Sequence, residues 1–178
     1  RTYMDCFNHR ITRSRVPDRI GKKMGFPMMG KCLINRDCKM RTIQRFWKSI
    51  DGEYMQYVGI AAEEKKRLDR LVKTKNTVSL LEKYGYTEEM AYQLCKKYDL
   101  LSPMYDFARR GGCWFCPNAK EKELCYLRKN HRELWNKLLE LEKDTETIGN
   151  MWNILTKTRI HDWEEIFQME DRQIQLEI

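Results

Sequence analysis

Apolar and polar positions alternate along this chain with a mostly helical period. Tyr3, Phe7 and Ile11 recur every four residues and predict a helix over 1–16. Pro17, Gly21, Gly25, Pro27 and Gly30 then break the pattern, so 17–35 reads as a loop whose apolar FPMMG stretch packs down. Asp37 to Ile50 reads as a helix, with Met40, Ile43, Trp47 and Ile50 on one stripe and Lys39, Arg41, Arg45 and Lys48 among its polar positions. Asp51-Gly52 ends it. Tyr54–Ala61 is the best strand, aromatic and β-branched and closing on a glycine turn.

Glu63–Val72 is charged and helical, and Thr77–Leu81 is short enough to be extended. Thr87 is placed to cap a helix over Glu88–Tyr98, with acids in its first turn as the helix dipole prefers. Pro117 suits the first turn of a helix reaching Arg128. Leu134, Leu138 and Leu141 mark an amphipathic helix over Arg132–Lys143, and Asp162–Gln173 reads as the last helix. There is no internal repeat and no low-complexity linker. The pattern predicts a helix-rich α/β chain with few strands, and one strand does not make a sheet.

A length of 178 residues with 42% hydrophobic content allows one ordinary core, with or without an appendage. No apolar run approaches the ~18–20 residues of a membrane helix, and the basic, amphipathic start does not read as a secretory signal. A soluble, cytoplasmic protein is expected. The start at Arg1 is compatible with a fragment. The net charge of +8 is gathered early, in Arg10, Arg13, Arg15, Arg19 and the lysines and arginines up to Arg45. Such a stretch favours polyanions, either nucleic acid or phosphate-bearing small molecules, unless it is simply a solvated face.

Seven cysteines without a secretory signal point to metal binding, catalysis or burial and not to a disulfide scaffold. Cys113 and Cys116, in GGCWFCP, have the spacing that lets two sulfurs point at one centre. Cys32 and Cys38, in GKCLINRDCK, form a looser Cys-x5-Cys pair. Four thiolates from the two segments would make a tetrahedral zinc site or hold a four-iron cluster. A redox-active Cys113–Cys116 dithiol and inert thiols are the alternatives. Cys6, Cys95 and Cys125 are expected to be small buried hydrophobes. His9, His131 and His161 show no ligand spacing, and no Ser/His/Asp pattern, Walker loop or GxGxxG motif occurs.

Three strings, GKCLINRDCKMRTIQRF, YVGIAAEEKKRLDRL and LLEKYGYTEEMAYQLCKKYDLLSPMYDFARRGGCWFCPNAKEKEL, resemble in order and spacing the phosphoadenosine phosphosulfate (PAPS) reductase-like family, in its phage- or prophage-borne form. The resemblance spans roughly residues 1–145, leaving 146–178 as a helical extension. It implies the PP-loop, or adenine nucleotide alpha-hydrolase, fold: a doubly wound α/β domain with a Ser-Gly-Gly-x-Asp-Ser phosphate loop near its start. This sequence lacks that loop, so it looks like the C-terminal, Cys-clamp part of such a domain. A missing N-terminal half or a partner chain would supply the rest of the sheet.

The resemblance also implies that Lys39 and Arg41 face a phosphate or sulfate and that Glu64 and Arg67 belong to a nucleotide site, with Arg109 and Arg110 as weaker candidates. Arg suits this role because its fork binds phosphate oxygens in pairs. Two departures stand out. Asp37, not a second cysteine, precedes Cys38, so Cys32 would supply the fourth ligand; and no cysteine lies near the C-terminus, so PAPS reduction by this chain alone is not expected. The functional expectation is the metal-bearing half of a nucleotide-dependent enzyme. The alternative is a small Cys-metal module that tracks nucleic acid with its basic face and with Phe46, Trp47 and Tyr54.

Overall fold

In the computed structural model the described residues are 2–27, 32–108, 111–151 and 156–176, with the side chains of 175 and 176 excepted. The chain is helix-rich, with two small parallel sheets, and it divides into two compact units. One unit joins 1–45 to 107–178; the other is 46–106. Among the described residues no helix is long and apolar enough to cross a membrane.

The first unit begins with a short helix, α1 (Tyr3–Phe7). The Thr2 hydroxyl accepts the Asp5 N–H while the Asp5 carboxylate accepts the Thr2 N–H, a reciprocal cap on the helix start. The helix expected over 1–16 stops here because the chain finds other backbone partners. His9 and Ile11 hydrogen bond with Met24, Lys22 and Gly21, so residues 9–11 run alongside β1 (Lys23–Gly25). Strand β1 pairs in parallel with β4 (Thr147–Gly149), in register Lys23↔Thr147 and Gly25↔Gly149. The pairing needs both glycines. A Cβ on either would collide with backbone of the opposite strand or of the residue following it, and Gly25 also sits at φ +71°. Lys23 reinforces the pairing with an ion pair to Asp144 at 2.7 Å.

Three helices close this unit: α6 (Glu121–Asn130), α7 (Arg132–Glu142) and α8 (Ile160–Leu176). α6 starts four residues after Pro117, where the Glu123 carboxylate accepts the Lys120 N–H at 2.9 Å. α7 packs on both neighbours. Its last residue, Glu142, accepts the N–H groups of Ile160 and His161 and so caps α8 across the helix pair. The core is apolar and aromatic, with Phe7, Trp135, Leu138 and Ile160 essentially sealed from solvent. Residues 146–178, expected as an extension, therefore contribute a strand and a packed helix to this unit.

The second unit is a parallel β-helix-β step. β2 (Gln56–Val58), α3 (Lys65–Leu71) and β3 (Thr77–Ser79) are followed by α4 (Leu80–Lys83) and α5 (Glu88–Lys97). The expected strand over 54–61 keeps only its middle, and it pairs with the segment read as extended, Gln56↔Thr77 to Val58↔Ser79. Thr87 caps α5 by accepting the Met90 N–H at 3.1 Å. The buried Ser79 hydroxyl donates to the Ile60 carbonyl at 2.6 Å and accepts the Ile60 and Glu82 N–H groups.

Candidate metal centre

After β1 the chain enters a helical run from Leu33 to Lys48. Its first part, Asn35–Met40, is π-helical, and α2 (Arg41–Lys48) continues it. π-Turns are rare and concentrate at functional sites. This one carries Cys38, whose Sγ stands 3.6 Å from Sγ of Cys6 on α1 and 3.6 Å from the Thr2 carbonyl oxygen. Cys6 is buried and Cys38 half-buried.

The GGCWFCP loop rests on the same helix. The Phe115 ring stacks on Tyr3 at 3.6 Å between centroids, and Trp114 meets Tyr3 edge-on at 5.4 Å. Cys113 and Cys116 flank these two rings, and the Cys116 N–H donates to the Cys113 carbonyl at 3.0 Å, folding the pair into a tight turn. Cys38 and Cys113 both pack against the cluster that contains Cys6 and Phe115. The turn does not depend on Gly112, where a Cβ would meet open space. The Tyr3 hydroxyl is buried without a hydrogen-bond partner among the described residues, and burial holds its proton on well above the usual phenol range.

Cys32 is placed elsewhere. It is exposed, and its sulfur accepts the Asn35 N–H at 3.4 Å at the start of the helical run. Cys32 precedes the helical run and Cys38 lies within its π-helical part, where the sulfur neighbour given to Cys38 is Cys6. Of the four expected ligands, the structure joins Cys113 with Cys116 and gives Cys38 a different neighbour, Cys6. Nothing in the sequence pattern pointed to Cys6, which read as one more residue beside an aromatic stripe. Among the described residues no three His, Cys, Asp or Glu groups stand close enough together to hold a metal ion, so a metal would have to draw the loop and the Cys6–Cys38 pair together.

Arg41 is turned to a protein partner. Asp37 is buried, and Arg36 grips its carboxylate with two bonds at 2.7 and 2.9 Å while Arg41 Nε lies 3.3 Å away. The hydrogen bond to Asp37 raises the Arg36 pKa, burial opposes this, and the charges of Asp37 and Cys6 add to the rise. Lys39 is exposed. In the second unit Glu64 and Arg67 pair with each other at 2.5 and 2.7 Å, and Glu64 also accepts the Ala61 N–H at 3.1 Å. The Arg67 hydrogen bond holds the Glu64 carboxyl below its usual range. Lys39 and Arg41 belong to one unit and Glu64 and Arg67 to the other. Arg109 and Arg110 lie outside the described residues.

A second charged cluster joins α6, α7 and α8. Glu164, 8% exposed, accepts from Arg128 Nε at 3.0 Å, Gln168 at 2.9 Å, Arg132 at 3.3 Å and the Trp135 indole N–H. Arg128 also reaches Asp171 at 2.7 Å. With its lone pairs engaged by protein donors, Glu164 is a structural clamp.

The chain matches no family model, no curated protein and no solved structure.

Proposed function

We propose that this chain is the metal-bearing part of a PAPS reductase-like, nucleotide-dependent protein of the PP-loop type, working in the cytoplasm on a phosphate- or sulfate-containing substrate. The observation that carries the reading is the placement of the Glu64–Arg67 pair. It follows the Gly-Ile-Ala turn at the carboxyl end of β2, in a parallel β-helix-β step. Open α/β sheets bind nucleotides outside the carboxyl ends of their strands. An adenine nucleotide there would compete with Glu64 for the Arg67 fork.

The same unit supports the need for further strands. Parallel sheets are normally covered on both faces, yet only Ile60, Ala61 and Ser79 are buried in 46–106 while Tyr57, Tyr84, Tyr98 and Leu100 are exposed. Strands from a missing N-terminal half or a partner chain would cover this surface. The metal, zinc or a four-iron cluster, would be held by cysteines that include Cys113 and Cys116, and as a structural ion it would fix the GGCWFCP loop.

One observation favours a second reading, nucleic-acid binding. Phe46 is 64% exposed on α2, alongside Arg45 and Lys48. Titrating the chain with ATP and with a single-stranded oligonucleotide at two salt concentrations separates the two. Nucleotide binding that is weakened by Arg67→Ala and falls little with salt supports the enzyme reading. Oligonucleotide binding that falls steeply with salt, without nucleotide binding, selects the other.

A further inference from the structure

We infer that Cys6 and Cys38 are a ligand pair for a single tetrahedral ion, zinc, completed by Cys113 and Cys116, and that Cys32 takes no part. The inference rests on the metal-bearing reading above and adds which thiols bind and which metal they select.

The first support is the sulfur–sulfur distance. Two thiolates on one tetrahedral zinc, each at about 2.3 Å, stand about 3.8 Å apart. Cys6 and Cys38 are 3.6 Å apart. In a four-iron cluster each thiolate takes a separate iron, which sets the thiolates farther apart than two that share one ion. The pair is thus already spaced for a single ion and too close for a cluster.

The second support is the loop. Tyr3 lies one turn before Cys6 on α1, and Phe115, between the two loop cysteines, stacks on it. The loop is therefore held on the same helix that presents Cys6, and Cys38 and Cys113 pack on one shared cluster.

The surroundings fit a thiolate site as well. The buried Tyr3 hydroxyl is a donor without an acceptor, and thiolate ligands supply acceptors of the kind that outer hydrogen bonds to metal sites use. Asp37, beside Cys38, has its carboxylate gripped by Arg36 and approached by Arg41, so sulfur and not oxygen is offered at this position. Cys32 is exposed and engaged in capping the helix start.

The test is metal analysis and zinc-edge X-ray absorption on anaerobically purified full chain, wild type and Cys32→Ser, reconstituted with zinc alone and, separately, with iron and sulfide. Wild type is expected to hold one zinc with an all-sulfur shell of four, and Cys32→Ser, at an exposed position, is expected to keep both. Cys6→Ser is expected to lose at least tenfold in zinc affinity. A Cys32→Ser protein that drops to three sulfurs and one lighter ligand would overturn the assignment of Cys6 and leave the metal centre standing. Four irons per chain with a broad band near ~400 nm would overturn the choice of zinc. Wild type that retains neither metal would overturn the metal-bearing reading itself. The Cys32→Ser spectrum decides the ligand set even if the buried Cys6→Ser protein does not fold.

Discussion

Replacing Glu164 with Gln tests whether one buried carboxylate holds α6, α7 and α8 together. Burial alone would push the Glu164 carboxyl up. The hydrogen bonds from Arg128, Gln168 and Trp135, and the Arg128 charge, outweigh that and bring it down from 4.5 to about 2. A drop of that size corresponds to roughly 3 kcal/mol of folding stability at neutral pH. The side chain is 11% exposed, so solvent screening takes little from the figure. Glu164→Gln keeps the shape and removes the charge. It also turns an amide N–H₂ toward Arg128, which then has only the half-exposed Asp171 as a counter-ion.

The expected loss is therefore about 3 kcal/mol at pH 7, or roughly 6–12 °C in Tm for a chain of this size. The pH dependence gives the sharper result. Because the folded pKa is depressed, the contribution is complete above about pH 4.5 and is lost as pH falls through about 2. The gap between wild type and Glu164→Gln, followed by urea unfolding with tryptophan fluorescence at pH 7, 5, 4 and 3, should narrow at the acid end. A gap that stays constant with pH would mean that packing, not the ionised carboxylate, holds the three helices, and the reasoning would be refuted.

Gly149→Ala places a Cβ against the Phe26 carbonyl and should cost roughly 2–3 kcal/mol in chemical unfolding, whereas Gly112→Ala, with nothing to meet, should stay within about 0.5 kcal/mol of wild type. Cys113→Ser should reduce bound metal and lower the Tm of the metal-loaded protein, read by metal analysis and a thermal scan on one sample; unchanged values for both would remove the GGCWFCP loop from the metal centre.

What the sequence made legible was local. Thr87 caps its helix as its side-chain oxygen predicts, and α7 ends one residue before its expected limit at Lys143. Both depend on residues within a few positions of each other. The helix over 1–16 misled because Tyr3 and Phe7 fulfil the four-residue spacing while Ile11 is held by Lys22 and Gly21. The β1–β4 pairing joins three-residue strands more than a hundred positions apart, and the glycines that permit it read locally as loop punctuation. The division into units, with 46–106 inserted between the two parts of the other, leaves no compositional trace for the same reason.

The cysteines show where the local reading stops for the candidate site. Spacing singled out Cys113 and Cys116 because a two-residue gap is itself a geometry, and the structure folds the pair into one tight turn. The five-residue gap between Cys32 and Cys38 carries no such geometry: Cys32 precedes the helical run, and Cys38 lies within it beside Cys6. Cys6 and Cys38 meet because α1 lies against the π-helical segment, and the loop reaches α1 through Phe115 on Tyr3, a contact across more than a hundred residues. A metal site assembled from α1, the π-helical segment and the loop would join the two ends of the first unit at one ion. Its loss should then loosen α1 and the loop first, and the α6–α7–α8 clamp, which has its own charged centre at Glu164, last.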